Sequence, residues 1–398
     1  MRTPSLCLLL LLVTACNRNT NADPAPATAA AKELAASNNK FGLSFVGRNY
    51  EPGKNQAISP LSLAMALQLA ATGADGETRK QMLDVLAANN LDLPESNREL
   101  IDTLNRTKGV KLNVANSIWV NPGQMQLAEE YRVTAESKFD ALARELHFAD
   151  AKAGDTINNW VSEHTNKRIP KLLDKVDPQA AAYLINAVYF KGEWTARFDK
   201  EQTRDHEFTL EDGTRKQVPT MFREKDYSHG ADGGTVVVRL TLGKDKGASM
   251  WFALPAQDSS AEKLAASLNA ESLARWAKAV KEEKDLPLFI PRFTFRYKVE
   301  ANKTLKAMGM THAFDEAKAD FSRMGKSPAG NLFISRVLHE VFIEVNEEGA
   351  EAAAATAVEM KPTSVPQPIQ FNRPFMFVIT DDGTGSVLFA GVVHDPKA

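Results

Sequence analysis

The residues able to do chemistry are few and badly placed for it. Only two cysteines occur in 398 residues, Cys7 and Cys16, so the chain beyond them has no disulfide, thiolate ligand or thiol nucleophile. His339-Glu340 opens like a helical zinc-protease motif, but Ile343 stands where the second histidine is needed. Gly325-Lys326-Ser327 ends like a phosphate loop that would require a glycine in place of Asp320. Gly383-Thr384-Gly385 lacks the third glycine of a dinucleotide loop, and G-x-S-x-G does not occur. The seven histidines are scattered. His339 shares a strand face with Val337 and Val341, which suits a hydrogen-bonded core histidine better than a metal ligand. The sequence therefore indicates neither an enzyme nor a metal or cofactor site.

Charge points the same way. Lys plus Arg (48) nearly cancels Asp plus Glu (50), and the charges are dispersed, so a nucleic-acid or polyanion partner is not indicated. Residues 1–15 carry Arg2, a Leu-rich run and small residues before Cys16, the parts of a secretory signal too short to span a membrane. Leu12-Val13-Thr14-Ala15-Cys16 is similar to a bacterial lipobox, in which the cysteine becomes the lipidated first residue. An ordinary signal peptide with a chance cysteine is the other reading. Asn17 rather than aspartate favours the outer membrane. Residues 16–31 read as a lipidated cysteine and disordered tether, and 32–398 as one domain held by packing alone.

The stretch Val341 to Pro366, VFIEVNEEGAEAAAATAVEMKPTSVP, changes character midway. Val341, Ile343 and Val345 alternate with polar residues as a half-buried strand does. Then follow Glu347, Glu348, Gly349, Ala350, Glu351, Ala352, Ala353, Ala354, Ala355 and Thr356. By propensity, Glu347 to Lys361 is a helix. Against that, no bulky apolar stripe recurs at helical spacing, and the segment must lead from a strand to the apolar run at Phe371. Small side chains tolerate helical, extended or exposed states, and Gly349 offers a permissive joint. A helix and a segment that changes partners are both compatible with these residues.

The elements around it are more legible. A helix is expected from Lys32, with Phe41 and Phe45 on one face. Ser59-Pro60 caps a second, lined by Leu63, Leu67 and Ala70 and stopped by Gly73. Further helices are expected over Thr78 to Leu86, Tyr131 to His147, Thr156 to Arg168 and Ala261 to Val280. Lys111 to Asn121 alternates as a strand, and Ala182 to Gly192 is apolar on both faces, as a covered central strand should be. Several strands are expected between Gln217 and Pro255, and one over Leu286 to Val299 with Pro291 at an edge or bulge. Pro374 to Thr380 and Ser386 to Val393 form a hairpin around Asp381 to Gly385. Helices dominate early and strands late, so the class is α+β.

Five segments, in order, resemble the serpin family: ISPLSLAMAL (58–67), ANSIWV (115–120), INAVYFKGEW (185–194), EEGAEAAAAT (347–356) and FNRPFMFVITDDGTGSVLFAGVVHDP (371–396). The resemblance covers about residues 32 to 396. It implies three β-sheets surrounded by eight or nine helices, with an exposed reactive-centre loop. It also implies a suicide inhibitor of serine endopeptidases: the target cleaves the loop, and the freed end inserts into the main sheet before deacylation. Serpin loop insertion is an established case of strand addition and of released strain. A non-inhibitory binding lipoprotein on the same fold is the alternative.

The carried-over positions are specific. Family spacings counted forward from Gly349 and back from Phe371 meet on Thr363, placing the reactive bond at Thr363–Ser364, with Met360 or Val358 as other registers. Thr363 after Pro362 suits an elastase-like or subtilisin-like pocket, and papain-like cysteine proteases are a further expected target class. The small residues of the hinge enter a packed sheet without crowding it. Ser59, Ser62, Asn186 and His339 match the family's shutter, and Trp194 its breach. Glu347 and Arg292 fall where an ion pair at the root of the loop is implied. No basic cluster precedes Val110, so no glycosaminoglycan cofactor is expected. The implied partners are a protease in covalent complex and a membrane reached through Cys16, with the chain itself a monomer.

Overall fold

The structure is a computed structural model and describes residues 26–106, 110–328, 332–349 and 367–397. Helix α1 (Ala29–Arg48) begins inside the stretch read as tether, because Thr28 accepts from the Ala31 N–H and caps it. After β1 (Gln56–Ile58) comes α2 (Pro60–Thr72), with Ser59 at the N-cap as expected. Every residue of α2 from Pro60 to Ala71 is buried, so it is surrounded on all sides rather than presenting the single face expected of it. Next come α3 (Gly76–Leu86), α4 (Leu93–Leu104), β2 (Val110–Val120), β3 (Gln126–Leu127) and α5 (Glu129–Phe139).

The helix expected over Tyr131 to His147 stops early. Asp140 takes a left-handed conformation, and β4 (Ala141–Glu145) then runs parallel to β2. Alternation in ALARE, and an edge of β2 to pair with, outweigh its helical propensity. Then follow α6 (Ala153–His164), β5 (Ala182–Gly192), β6 (Arg204–Thr209), β7 (Arg215–Asp232), β8 (Thr235–Leu242) and β9 (Ala248–Leu254). The helical stretch from Ala261 to Val280 is two helices, α7 (Ala261–Ser267) and α8 (Ala270–Ala279), divided where Asn269 forms a capping box with Ser272.

Leu286 to Val299 is likewise not one strand. β10 (Lys281–Pro291) pairs with β7, and β11 (Phe293–Glu300) pairs in a different sheet; Arg292 is the crossing point. The chain closes with α9 (Asn302–Ala307), β12 (Gly325–Lys326), β13 (Arg336–Val345), β14 (Ile369–Gln370), β15 (Phe375–Asp381) and β16 (Val387–Val393).

Three sheets result among the described residues, as the resemblance implied. The largest has nine strands, ordered β1-β16-β15-β9-β8-β7-β10-β14 with β6 alongside β7. The second has five, ordered β11-β13-β5-β2-β4, and the third is the pair β12-β3. β5 is the central strand of the five, apolar on both faces for a visible reason. Leu184 and Val188 enter the main core with α2, whereas Tyr183, Ile185 and Tyr189 pack beneath α6 with Ile157 and Val161. No helix among the described residues is long and apolar enough to cross a membrane.

Candidate functional site

The middle of the five-stranded sheet carries an unusual joint. β11 with β13 and β5 with β2 are antiparallel, but β13 lies directly against β5 in parallel. Their pairing runs from Arg336 opposite Tyr183 to Phe342 opposite Tyr189 and stops there. Beyond it β13 continues to Val345, held only by β11, and β5 to Gly192, held only by β2. The two strands thus diverge into a fork whose facing edges have no ladder partner among the described residues.

Beneath the joint lies a buried polar cluster. The Ser59 N–H donates to His339 Nε2 at 3.1 Å, which leaves the ring proton on Nδ1 to bond Asn186 Oδ1. The Asn186 amide donates to the Ser62 carbonyl at 3.1 Å, to Ser62 Oγ and to Asn116 Oδ1. All five residues are buried, and His339 sits in register opposite Asn186 across the β13–β5 joint. Burial alone drives the His339 ring down to about 3, so it is neutral at ordinary pH. The four residues singled out in the sequence are brought together. Asn116 was missed, although a polar side chain inside the apolar run ANSIWV was its signal.

At the open end of the fork the root of the loop is strapped to the segment after β5. Trp194 donates its ring N–H to the Asn346 carbonyl at 2.8 Å and its backbone N–H to Glu348 O at 3.2 Å. The Phe198 N–H donates to Glu347 O at 3.0 Å. The Glu347 carboxylate, 1% exposed, accepts from Thr203 Oγ1 at 2.6 Å and lies 3.6 Å from Arg292 Nη1. Glu348 pairs with Lys200, a contact that nothing in the sequence announced. Gly349 has φ +87°, and a Cβ there would meet Gly192 O at 2.3 Å, so both its backbone and its neighbours require glycine. Trp194 itself packs edge-on against Phe198 and beside Phe252. Ala350 to Thr356, the Thr363–Ser364 bond and Cys16 lie outside the described residues. No three His, Cys, Asp or Glu among the described residues are placed to hold a metal.

This architecture has relatives. A family model described as Serpin (serine protease inhibitor) matches residues 36–396. An uncharacterized serpin-like protein of Methanosarcina acetivorans is 31% identical over 378 residues, covering 92% of this chain and 87% of its own. Serpin-Z2A of Oryza sativa subsp. japonica is 33% identical over 392 residues, covering 87% of this chain and 92% of the rice protein. The native state of the thermophilic serpin tengpin aligns with a TM-score of 0.84 at 32% identity, over 91% of this chain and 94% of tengpin. Human thyroxine-binding globulin aligns with the same TM-score of 0.84 at 26% identity, over 92% of this chain and all of the globulin. On sequence and on fold alike, the chain belongs to the serpin family.

Proposed function

We propose that this chain is an irreversible suicide-substrate inhibitor of serine endopeptidases with elastase-like or subtilisin-like pockets, cleaved at Thr363–Ser364. The observation that carries the reading is the forked parallel joint between β13 and β5. A strand entering between them, antiparallel to both, replaces one parallel pairing with two antiparallel ones, which are slightly stronger per residue. The chain that leaves β13 already turns back, through a bridge between Asn346 and Gly349. Continued in that register, Ala350, Ala352, Ala354 and Thr356 come beside Val345, Ile343, Val341 and His339 on the core face. Four small side chains then meet a packed layer, where larger ones would cost about 1–3 kcal/mol each. The acyl-enzyme is thereby carried across the sheet faster than it is hydrolysed.

The test is to mix the chain with pancreatic elastase or subtilisin. A covalent complex surviving SDS, with the released fragment starting at Ser364 by mass spectrometry, is the expected result. A nicked chain beside fully active protease would overturn inhibition and favour a binding role on this fold. Cleavage after Met360 or Val358 instead would move the reactive bond and leave the mechanism standing. We also infer that the protein is a monomer tethered to the outer membrane through lipid on Cys16. The tether rests on the lipobox-like residues, and membrane attachment persisting in Cys16→Ser would refute it.

A further inference from the structure

We propose that Glu340 is a proton-operated control on the β13–β5 joint: uncharged it lets the two strands lie together, and ionised it loosens them. The inference deepens the function proposed above by naming what regulates the sheet, and it rests on that function only for the use made of opening.

The geometry is specific to this face of the sheet. Along β13, Val337, His339 and Val341 turn toward the main core, so Leu338, Glu340 and Phe342 turn toward the side covered by α6. Leu338 and Phe342 join the apolar cluster of Ile157, Val161, Tyr183 and Tyr189 there, and Glu340 stands between them on the strand. It is 4% exposed, and its Oε2 has no hydrogen-bond partner among the described residues. A carboxylate in such a place lacks the groups that would stabilise its charge.

The charges around it do not replace them. From β11, Lys298 lies in register with Glu340, and Lys298 and Arg296 both favour the ionised form. Lys298 is engaged elsewhere: its ammonium donates to the Leu172 carbonyl, and Asp174 draws on it from the segment after α6. β5 brings Ala187 opposite Glu340, with Tyr183, Tyr189 and Lys191 the titratable side chains of that face, while Arg336 of β13 and Glu300 of β11, also on that side, pair with each other at 2.8 Å. α6 packs through Ile157 and Val161, while its Asp155, Glu163 and His164 are exposed. Arg168 lies over the Phe342 ring and 3.8 Å from Glu344. Burial therefore dominates and pushes the Glu340 carboxyl up to about 7, with the two cations offsetting it only in part. His339, on the opposite face, is held neutral and does not titrate in that range.

The direction follows from linkage. The closed joint favours the protonated acid. A joint opened to water lets the carboxyl return toward its ordinary range, so opening releases a proton and becomes easier as pH rises, levelling off above about 7. The Glu340 contribution thus holds the joint tightest below about pH 4.5 and loosens it progressively up to about 7.

Hydrogen exchange of the full chain tests this without any protease. Exchange of β5 and β13 peptides is referenced at each pH to β15 and β16 peptides, in wild type and Glu340→Gln. The ratio of wild-type to Glu340→Gln opening should rise by about tenfold or more between about pH 5 and about pH 8. A ratio constant with pH overturns the proposal. Lys298→Met, which removes an offsetting cation, should move the wild-type transition to higher pH; an unmoved transition overturns the proposal even if Glu340→Gln does not fold. If the ratio rises but no covalent complex forms with elastase or subtilisin, only the inhibitor reading fails. If the complex forms but the ratio is flat, only this proposal fails.

Discussion

His339 and Glu340 are neighbours in sequence and opposites in effect. The buried His339 ring has a folded value of about 3, below the ordinary 6.5, so the unfolded chain binds its proton first as pH falls. Its contribution to stability is complete above about 6.5 and is lost toward about 3, at up to about 1.4 kcal/mol per pH unit. Glu340 is raised from 4.5 to about 7, so its contribution is complete below 4.5 and is lost as pH rises to about 7. Between those limits the two slopes oppose each other. Urea midpoints of His339→Gln measured against pH should therefore fall less steeply on the acid side than those of wild type, while carboxylates such as Glu51 and Asp102, held below their ordinary range, still contribute a decline; an unchanged slope would place the acid sensitivity elsewhere. The apolar strand face marks His339 as a core histidine in the sequence, and the structure places it there. Asn116 bears the same mark, a polar residue between Val114 and Ile118 on a strand face, but its partner depends on register: only the pairing of β2 with β5 sets it opposite Asn186.

At the level of elements, the joint depends on which strands share a sheet, and that was the least legible part of the chain. Periodicity finds the strand residues of 286–299 but cannot tell that Arg292 separates two sheets, since the alternation runs on across it. Composition cannot decide the state of Glu347 to Lys361 either. The described part of it, Glu347 to Gly349, is strapped beside Trp194 rather than helical. The expected insertion is sensitive to a single position. Ala354→Pro removes a ladder N–H and fixes φ at the place that would lie beside Val341. It should turn the chain from inhibitor into substrate, read as several moles of chain consumed per mole of elastase inactivated. Undiminished trapping by Ala354→Pro would show that the loop does not enter the sheet in this register.

On the mechanism proposed above, the whole molecule is a fold that gains by being cut. Once Thr363–Ser364 is hydrolysed, the hinge is free to complete the five-stranded sheet as a sixth, central strand. The loss of the forked edge and the added burial should raise the melting temperature of the cleaved chain, by about one degree for each kcal/mol gained in a protein of this size. Calorimetry of intact and elastase-nicked protein decides it: equal melting temperatures would mean the uncut fold is already at its minimum. The overall class and three-sheet plan were legible from the early helices, the late hairpin and the five family segments, because those signals are local.

The position of the last two strands has a practical outcome. β15 and β16 lie between β9 and β1 in the interior of the nine-stranded sheet, with both strands almost wholly buried. The C-terminal piece that the proposed cleavage would release is therefore clamped, through β15 and β16, on either side by earlier parts of the chain, although no disulfide joins it to them. A severed molecule should travel as a single particle through a sizing column and part into two only in detergent, so intact size in native solution says nothing about whether the trap has already been sprung.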